Sequence, residues 1–263
     1  MENSTELLID RIKDSRIIDS INLSNRNLNE FPRVFKSFDQ LKYLYLDNNK
    51  LIFVPEIGSF HQLEELSMEE NGLTLIPETY FNLKNLKLLN LSKNPLRCIN
   101  NNLFNNFSKL TSLWLNSCEL MYLPKEIGSL KFLEKLGLRS NFLQDLPDEF
   151  GQLINLKWLC LEKNEIQMLP RSFRNLNGLA YLNISFNKLE EIPDFTFEMT
   201  CLNILLLESN LIKVFKDEHV LGLAFLHKLD MRSNPCIKKI KTNQHDFYKQ
   251  LLSIKSFQIE DGK

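Results

Sequence analysis

The chain has 263 residues, 43% hydrophobic and 25% charged, which is long enough to bury a sizeable core and too apolar for an unfolded chain. With 32 basic against 33 acidic side chains the formal net charge is -1, so no overall field draws in nucleic acid or an anionic membrane, and recognition falls to local patches. Five cysteines (Cys98, Cys118, Cys160, Cys201, Cys236), odd in number, far apart and without a Cys-x-x-Cys pair, argue against a disulfide framework and a zinc site.

In chain order, the acidic start MENSTELLID lacks the basic segment and apolar run of a secretory signal, and no stretch approaches about 18 apolar residues. A soluble cytoplasmic protein is expected. Asn-x-Ser/Thr triplets begin at Asn3, Asn22, Asn90, Asn106 and Asn183, and without a signal they are not expected to carry glycans. Residues 5–15 set Leu8, Ile9 and Ile12 at helical spacing, with Ser4 or Thr5 near the start, which predicts an amphipathic helix.

From Ile18 the pattern L-x-x-L-x-L-x-x-N-x-L recurs, starting at Ile18, Leu41, Leu63, Leu86, Leu110, Leu133, Leu156, Leu179, Leu202 and Leu226, in steps of 22 to 24 residues. The plainest unit runs Leu156, Leu159, Leu161, Asn164, Ile166, Leu169-Pro170, Phe173 and Leu176. Its predecessor repeats it as Leu133, Leu136, Leu138, Asn141, Leu143, Leu146-Pro147, Phe150 and Leu153. A fixed period of this length marks stacked repeats sharing one core. Beyond them, residues 243–254 bring Phe247, Leu251 and Ile254 onto one helical face. Solenoid ends expose core unless covered, so the chain divides into an N-terminal helical cap at 1–17, ten repeats at 18–240, and a C-terminal helical cap and tail at 241–263.

These residues resemble the leucine-rich-repeat family, specifically its 23-residue intracellular class with an L-P-x-x-F/I-x-x-L second half, found in Ras-suppressor, Shoc and Scribble-like scaffolds. The match covers roughly residues 16 to 240. The resemblance implies an α/β horseshoe: a concave parallel sheet of about ten short strands, an irregular or 3-10 convex side, and helical caps at both ends. It also places Asn164 where the chain leaves its strand, where an amide can satisfy backbone groups of adjoining coils. Repeated at Asn49, Asn71, Asn94, Asn141, Asn187, Asn210 and Asn234, that residue is expected to form a buried ladder.

Spacing supplies the remaining roles. In Leu156-x-x-Leu159-x-Leu161 the period of two turns Leu159 and Leu161 to one face of a strand and residues 158, 160 and 162 to the other. Proline at Pro32, Pro55, Pro77, Pro124, Pro147, Pro170 and Pro193 has the fixed φ to start a convex turn. Phe35, Phe81, Phe104, Phe150, Phe173 and Phe197 are expected to fill the space between coils. Ten strands about 4.8 Å apart make a sheet about 45 Å long. Arg26 and Cys118 replace the asparagine of the first and fifth units. Ile99-Asn100 and Phe215-Lys216 replace Leu-Pro in the fourth and ninth, where a bulged convex loop is expected.

No phosphate loop, dinucleotide fingerprint, HExxH or GxSxG occurs, and His61, His219, His227 and His245 are scattered. No enzyme, cofactor or metal is expected. Down the stack the outward positions place both tryptophans, Trp114 and Trp158, on the concave face with Tyr181, Arg139 and Glu162, and Gly137 and Cys160 as low ground between them. Phe142 and Phe186 extend the apolar rim, and Tyr43 and Tyr45 lie on the same face nearer the N-terminal end. Aromatic and arginine side chains together suit a protein-binding surface. The rival reading is that these rings stack on neighbouring strand residues and stabilise the sheet. A weaker candidate is charge polarity: Asp47, Glu64, Glu65, Glu69 and Glu70 against Arg139, Lys228, Arg232, Lys238, Lys239 and Lys241. The expected role is a monomeric interaction module or scaffold for a protein partner. A regulatory inhibitor or effector in a GTPase or phosphatase pathway, as the resemblance implies, and a component of a cytoskeletal or ciliary assembly are the alternatives.

Overall fold

A computed structural model describes residues 18–32, 38–53, 57, 59–76, 82–214, 222–223, 225–237 and 256–258. The helices expected at 5–15 and 243–254, Phe35, Phe81, Pro55, Pro77, Phe215-Lys216, Lys238, Lys239 and Lys241 lie outside the described residues.

Among the described residues, eleven three-residue strands form one open parallel sheet in sequence order. They are β1 (Ser20–Asn22), β2 (Tyr43–Tyr45), β3 (Glu65–Ser67), β4 (Leu88–Asn90), β5 (Ser112–Trp114), β6 (Lys135–Gly137), β7 (Trp158–Cys160), β8 (Tyr181–Asn183), β9 (Ile204–Leu206), β10 (Lys228–Asp230) and β11 (Ser256–Gln258). The first ten occupy the third to fifth positions of the ten repeats, and their register keeps like positions side by side, as in Trp158 opposite Tyr181 and Cys160 opposite Asn183. Alternation explains the core. Leu136, Leu159 and Leu182 at the fourth position, and Leu138, Leu161 and Ile184 two residues on, are fully buried.

β11 is a finding that the helical reading of the C-terminal region passed over. Phe257 pairs with Leu229, and in the sequence Ile254-x-x-Phe257-x-Ile259 has the spacing of the repeats' strand motif.

Each of the first ten strands leaves through a left-handed residue. The eighth residue of every repeat, from Asn25 and Asn48 through Lys163 and Phe186 to Ser233, has φ between 51° and 60°. That conformation continues the sheet's hydrogen bonding past the strand: the N–H of Lys163 donates to the Ser185 carbonyl (2.9 Å) and that of Phe186 to Glu208 (2.7 Å).

The asparagine ladder is present. The Asn164 Nδ2 donates to the carbonyls of Leu138 and Leu161, 2.9 Å each, and its Oδ1 accepts from the N–H of Leu143 at 3.1 Å. One amide therefore ties its own coil to the one before it. Seven of the eight asparagines are buried and Asn71 is half-buried. At Cys118 the thiol takes the place of the amide, donating to the Leu91 carbonyl at 3.3 Å, and burial pushes its pKa up to about 12. Arg26 is exposed at the other substituted position.

On the convex side Pro124, Pro147, Pro170 and Pro193, with φ from -67° to -63°, precede short 3-10 turns at Lys125–Ser129, Asp148–Gln152, Arg171–Asn175 and Asp194–Phe197. Phe150 and Phe173 stack at 4.9 Å. The next ring in that row is Phe195, 6.0 Å from Phe173, and not the expected Phe197, which is only partly buried. Thr196 takes the phenylalanine position of that repeat, its N–H and Oγ1 both donating to the Pro193 carbonyl, and the ring enters from the residue before it. In the fourth unit, which lacks proline, the turn shortens to Phe104–Asn106, and Arg97 adopts φ 60°.

Candidate functional site

The concave face carries an aromatic spine that crosses four strands. Trp158 on β7 stacks on Tyr181 of β8, centroids 5.2 Å apart and planes 6° from parallel. Trp114 on β5 reaches Trp158 at the same distance, tilted by 58°. Between them runs β6, and the contact exists because Gly137 has no side chain: a Cβ there would stand 2.5 Å from Trp114 Cε3. The three rings are half-buried, more so than alternation alone implied, because they cover one another and the fifth-position residues. Cys160 beside them is buried, and burial raises its thiol's pKa and also that of Tyr181.

An ion pair borders the spine. Arg139 Nη2 lies 3.1 Å from Glu162 Oε1, and Asn183 Nδ2 donates to Glu162 Oε2 at 3.0 Å. Arg139, Glu69, Lys93, Trp114 and Asn116 line an open depression of about 530 Å³, whose floor is low because small side chains, among them Ser92, Ser117 and Ser140, stand there. Phe142 and Phe186 are exposed, at 53% and 41%. Lys163 Nζ stands 5.8 Å from the Phe186 ring centroid. Lys163 is an addition to the expected site: it stands at the eighth position, which supplies Phe186 one repeat later, but only the aromatic residue there is singled out by apolar character.

Trp114, Trp158, Tyr181, Arg139 and Glu162 are thus brought together, with Phe186 one strand-end away. Tyr43 and Tyr45 are not part of this group. They lie on β2, in an acidic region where the Tyr45 hydroxyl donates to Glu65 Oε2 at 2.7 Å. Burial, and then the carboxylate of Glu65, push the Tyr45 pKa up to about 12. Asp47 accepts from Ser67 Oγ and from the N–H of Glu69. Burial raises the pKa of Glu69, but hydrogen bonds from Asn90 and Lys93 outweigh it and hold the carboxyl below its usual range. Toward β10 the charges cancel: Arg232 is bonded to both Asp230 and Glu208 at 2.8 Å.

A second apolar row follows the thirteenth position of the repeats, where Phe53, Leu75, Tyr122, Met168 and Val214 are exposed; Cys98, Asp145 and Glu191 interrupt it. Among the described residues no group of three or more His, Cys, Asp or Glu is placed to hold a metal, and no helix is long and apolar enough to cross a membrane.

The comparisons agree with this architecture. No curated protein matches the chain. Of solved structures 509 chains match, a breadth that identifies architecture and not a partner. A leucine-rich-repeat protein of Leptospira interrogans matches with a TM-score of 0.77 and 33% identity over 81% of this chain and 54% of its own. The present chain therefore spans about half the length of that protein. A chain of the Toll–Spatzle complex of Drosophila matches in fold, with a TM-score of 0.69 at 20% identity, over 89% of this chain and 36% of its own. The family model for the leucine rich repeat matches residues 61–120, 132–189 and 178–236, which together cover more than half of the sequence. The protein belongs to the leucine-rich-repeat family.

Proposed function

We propose that this chain is a cytoplasmic, non-enzymatic interaction module that holds a protein partner on its concave face, centred on Trp114, Arg139, Trp158 and Tyr181 and rimmed by Phe142 and Phe186. The observation that carries this reading is Phe186. The left-handed conformation is unfavourable for a bulky side chain, and the other nine eighth positions hold Asn, Ser, Glu or Lys. Here a phenylalanine is held at φ 57° and left 41% exposed. Neither local conformation nor solubility favours that choice, whereas a binding surface does. The spine beside it supplies rigid aromatic area, the composition of interface hot spots.

The test is a double substitution at the exposed rim, Phe142→Ser with Phe186→Asn, which leaves the stacked tryptophans in place. Affinity purification with mass spectrometry should lose the partners captured by the wild type, while the thermal transition stays cooperative. The same partner set on the folded double variant moves the site off this face.

A further inference from the structure

The charges of the concave face are segregated along the stack, and the segregation describes an occupant. At the four outward positions of their repeats, β2 and β3 present Asp47, Glu65, Glu69 and Glu70 and no cation; Lys93 of the next repeat pairs with Glu69 (2.9 Å) and Glu70 (3.1 Å), which leaves an acidic excess centred on Asp47 and Glu65. β6 and β7 present Lys135, Arg139 and Lys163 against the single carboxylate of Glu162, whose side chain is only 16% exposed and bonded to Arg139 and Asn183. β9 and β10 present two of each sign, and β1 and β8 none. The two poles lie about four strand spacings apart, on the order of 20 Å. That exceeds the screening length of roughly 8 Å at physiological salt, so a partner feels each pole separately. Lys135 and Lys163 have no acidic partner among the described residues, so their charges remain available at the face.

Resting on the concave-face reading above, we infer that the partner is a protein segment laid across the strands, with acidic residues beside a bulky apolar one over β5 to β8 and basic residues over β2 and β3. The spine takes the apolar group, and Lys135, Arg139 and Lys163 on either side of it take the carboxylates. The acidic end, with the Tyr43 and Tyr45 rings, takes the cations. Opposite poles allow one direction of the segment along the stack and penalise the reverse, because reversal sets like charges together at both ends.

The probe is a set of random twelve-residue peptides selected by display on the intact chain, then titrated singly against it. The readout is built in, since the chain's two tryptophans are both in the spine. The expected result is enrichment of peptides with Asp or Glu close to an aromatic or aliphatic residue and Lys or Arg toward one end, each shifting tryptophan emission. Lys135→Glu with Lys163→Glu, two exposed side chains, should weaken these peptides about tenfold and select basic sequences in their place. Selected peptides that shift the emission but show no acidic excess, or bind the double variant equally well, overturn the charge inference and leave the concave face standing. If no selected peptide perturbs the tryptophans, both readings fall.

Discussion

Replacing Gly137 with alanine places a methyl carbon 2.5 Å from Trp114 Cε3 and 2.9 Å from Asn116 Oδ1. The strand beneath has little freedom to recede, because Leu136 and Leu138 on either side are fully buried, so the indole lifts and its contact with Trp158 opens. Two effects oppose each other. Losing an aromatic pair costs about 0.5 to 1.5 kcal/mol, while replacing glycine by alanine in a strand returns about 0.5 to 1 kcal/mol of backbone entropy. The net change in stability is therefore at most about 1 kcal/mol, a fall in Tm of no more than about 4 °C. Spectroscopy separates the two effects. With only two tryptophans in the chain, Gly137→Ala should shift emission to the red and reduce the near-ultraviolet circular dichroism of the coupled rings. Unaltered tryptophan spectra in a folded variant would refute the spine geometry. A loss of more than about 3 kcal/mol would show that the sheet, and not the ring, gives way.

The ladder and the acidic end yield two further tests. Asn141 makes five hydrogen bonds, accepting from the N–H groups of Cys118 and Leu120 and donating to the carbonyls of Leu115, Leu138 and Arg139. Asn141→Ala orphans these buried groups and should cost about 2 to 4 kcal/mol, with faster hydrogen exchange at the Cys118 and Leu120 amides; unchanged protection there would remove the ladder as a stabilising device. For Tyr45 the folded pKa of about 12 stands above its ordinary 10.0. Its contribution to stability is thus complete below pH 10 and lost as pH rises through 12. Tyr45→Phe should flatten that alkaline decline in denaturation midpoints, and the phenolate absorbance of the wild type should contain a late-titrating component that the variant lacks. An equally steep decline in the variant would assign the effect elsewhere.

The repeat was legible because each unit states the same period, so the first ten strands fall at the third to fifth positions read from Leu159 and Leu161. Lateral packing was less legible. Alternation tells which way Trp114 points but not that it lies across Gly137 onto Trp158, because that contact depends on a missing side chain in another repeat. Phe195 displaced Phe197 because a threonine at the phenylalanine position can bond the Pro193 carbonyl, which a consensus spacing does not anticipate. β11 was visible in principle as Ile254, Phe257 and Ile259, but the helical spacing of Phe247, Leu251 and Ile254 competed for the same isoleucine.

The left-handed exit from each strand has an evolutionary consequence. At the eighth position the main chain itself closes the coil, through an N–H that reaches the next repeat, as at Lys163 and Phe186. The side chain there contributes nothing to that closure, and Asn, Ser, Glu, Lys and Phe all occur. Apart from the conformational cost that a bulky residue such as Phe186 incurs there, a row of sites outside this bonding can exchange polarity by single codon changes, which lets recognition diverge while the scaffold stays under conservative selection.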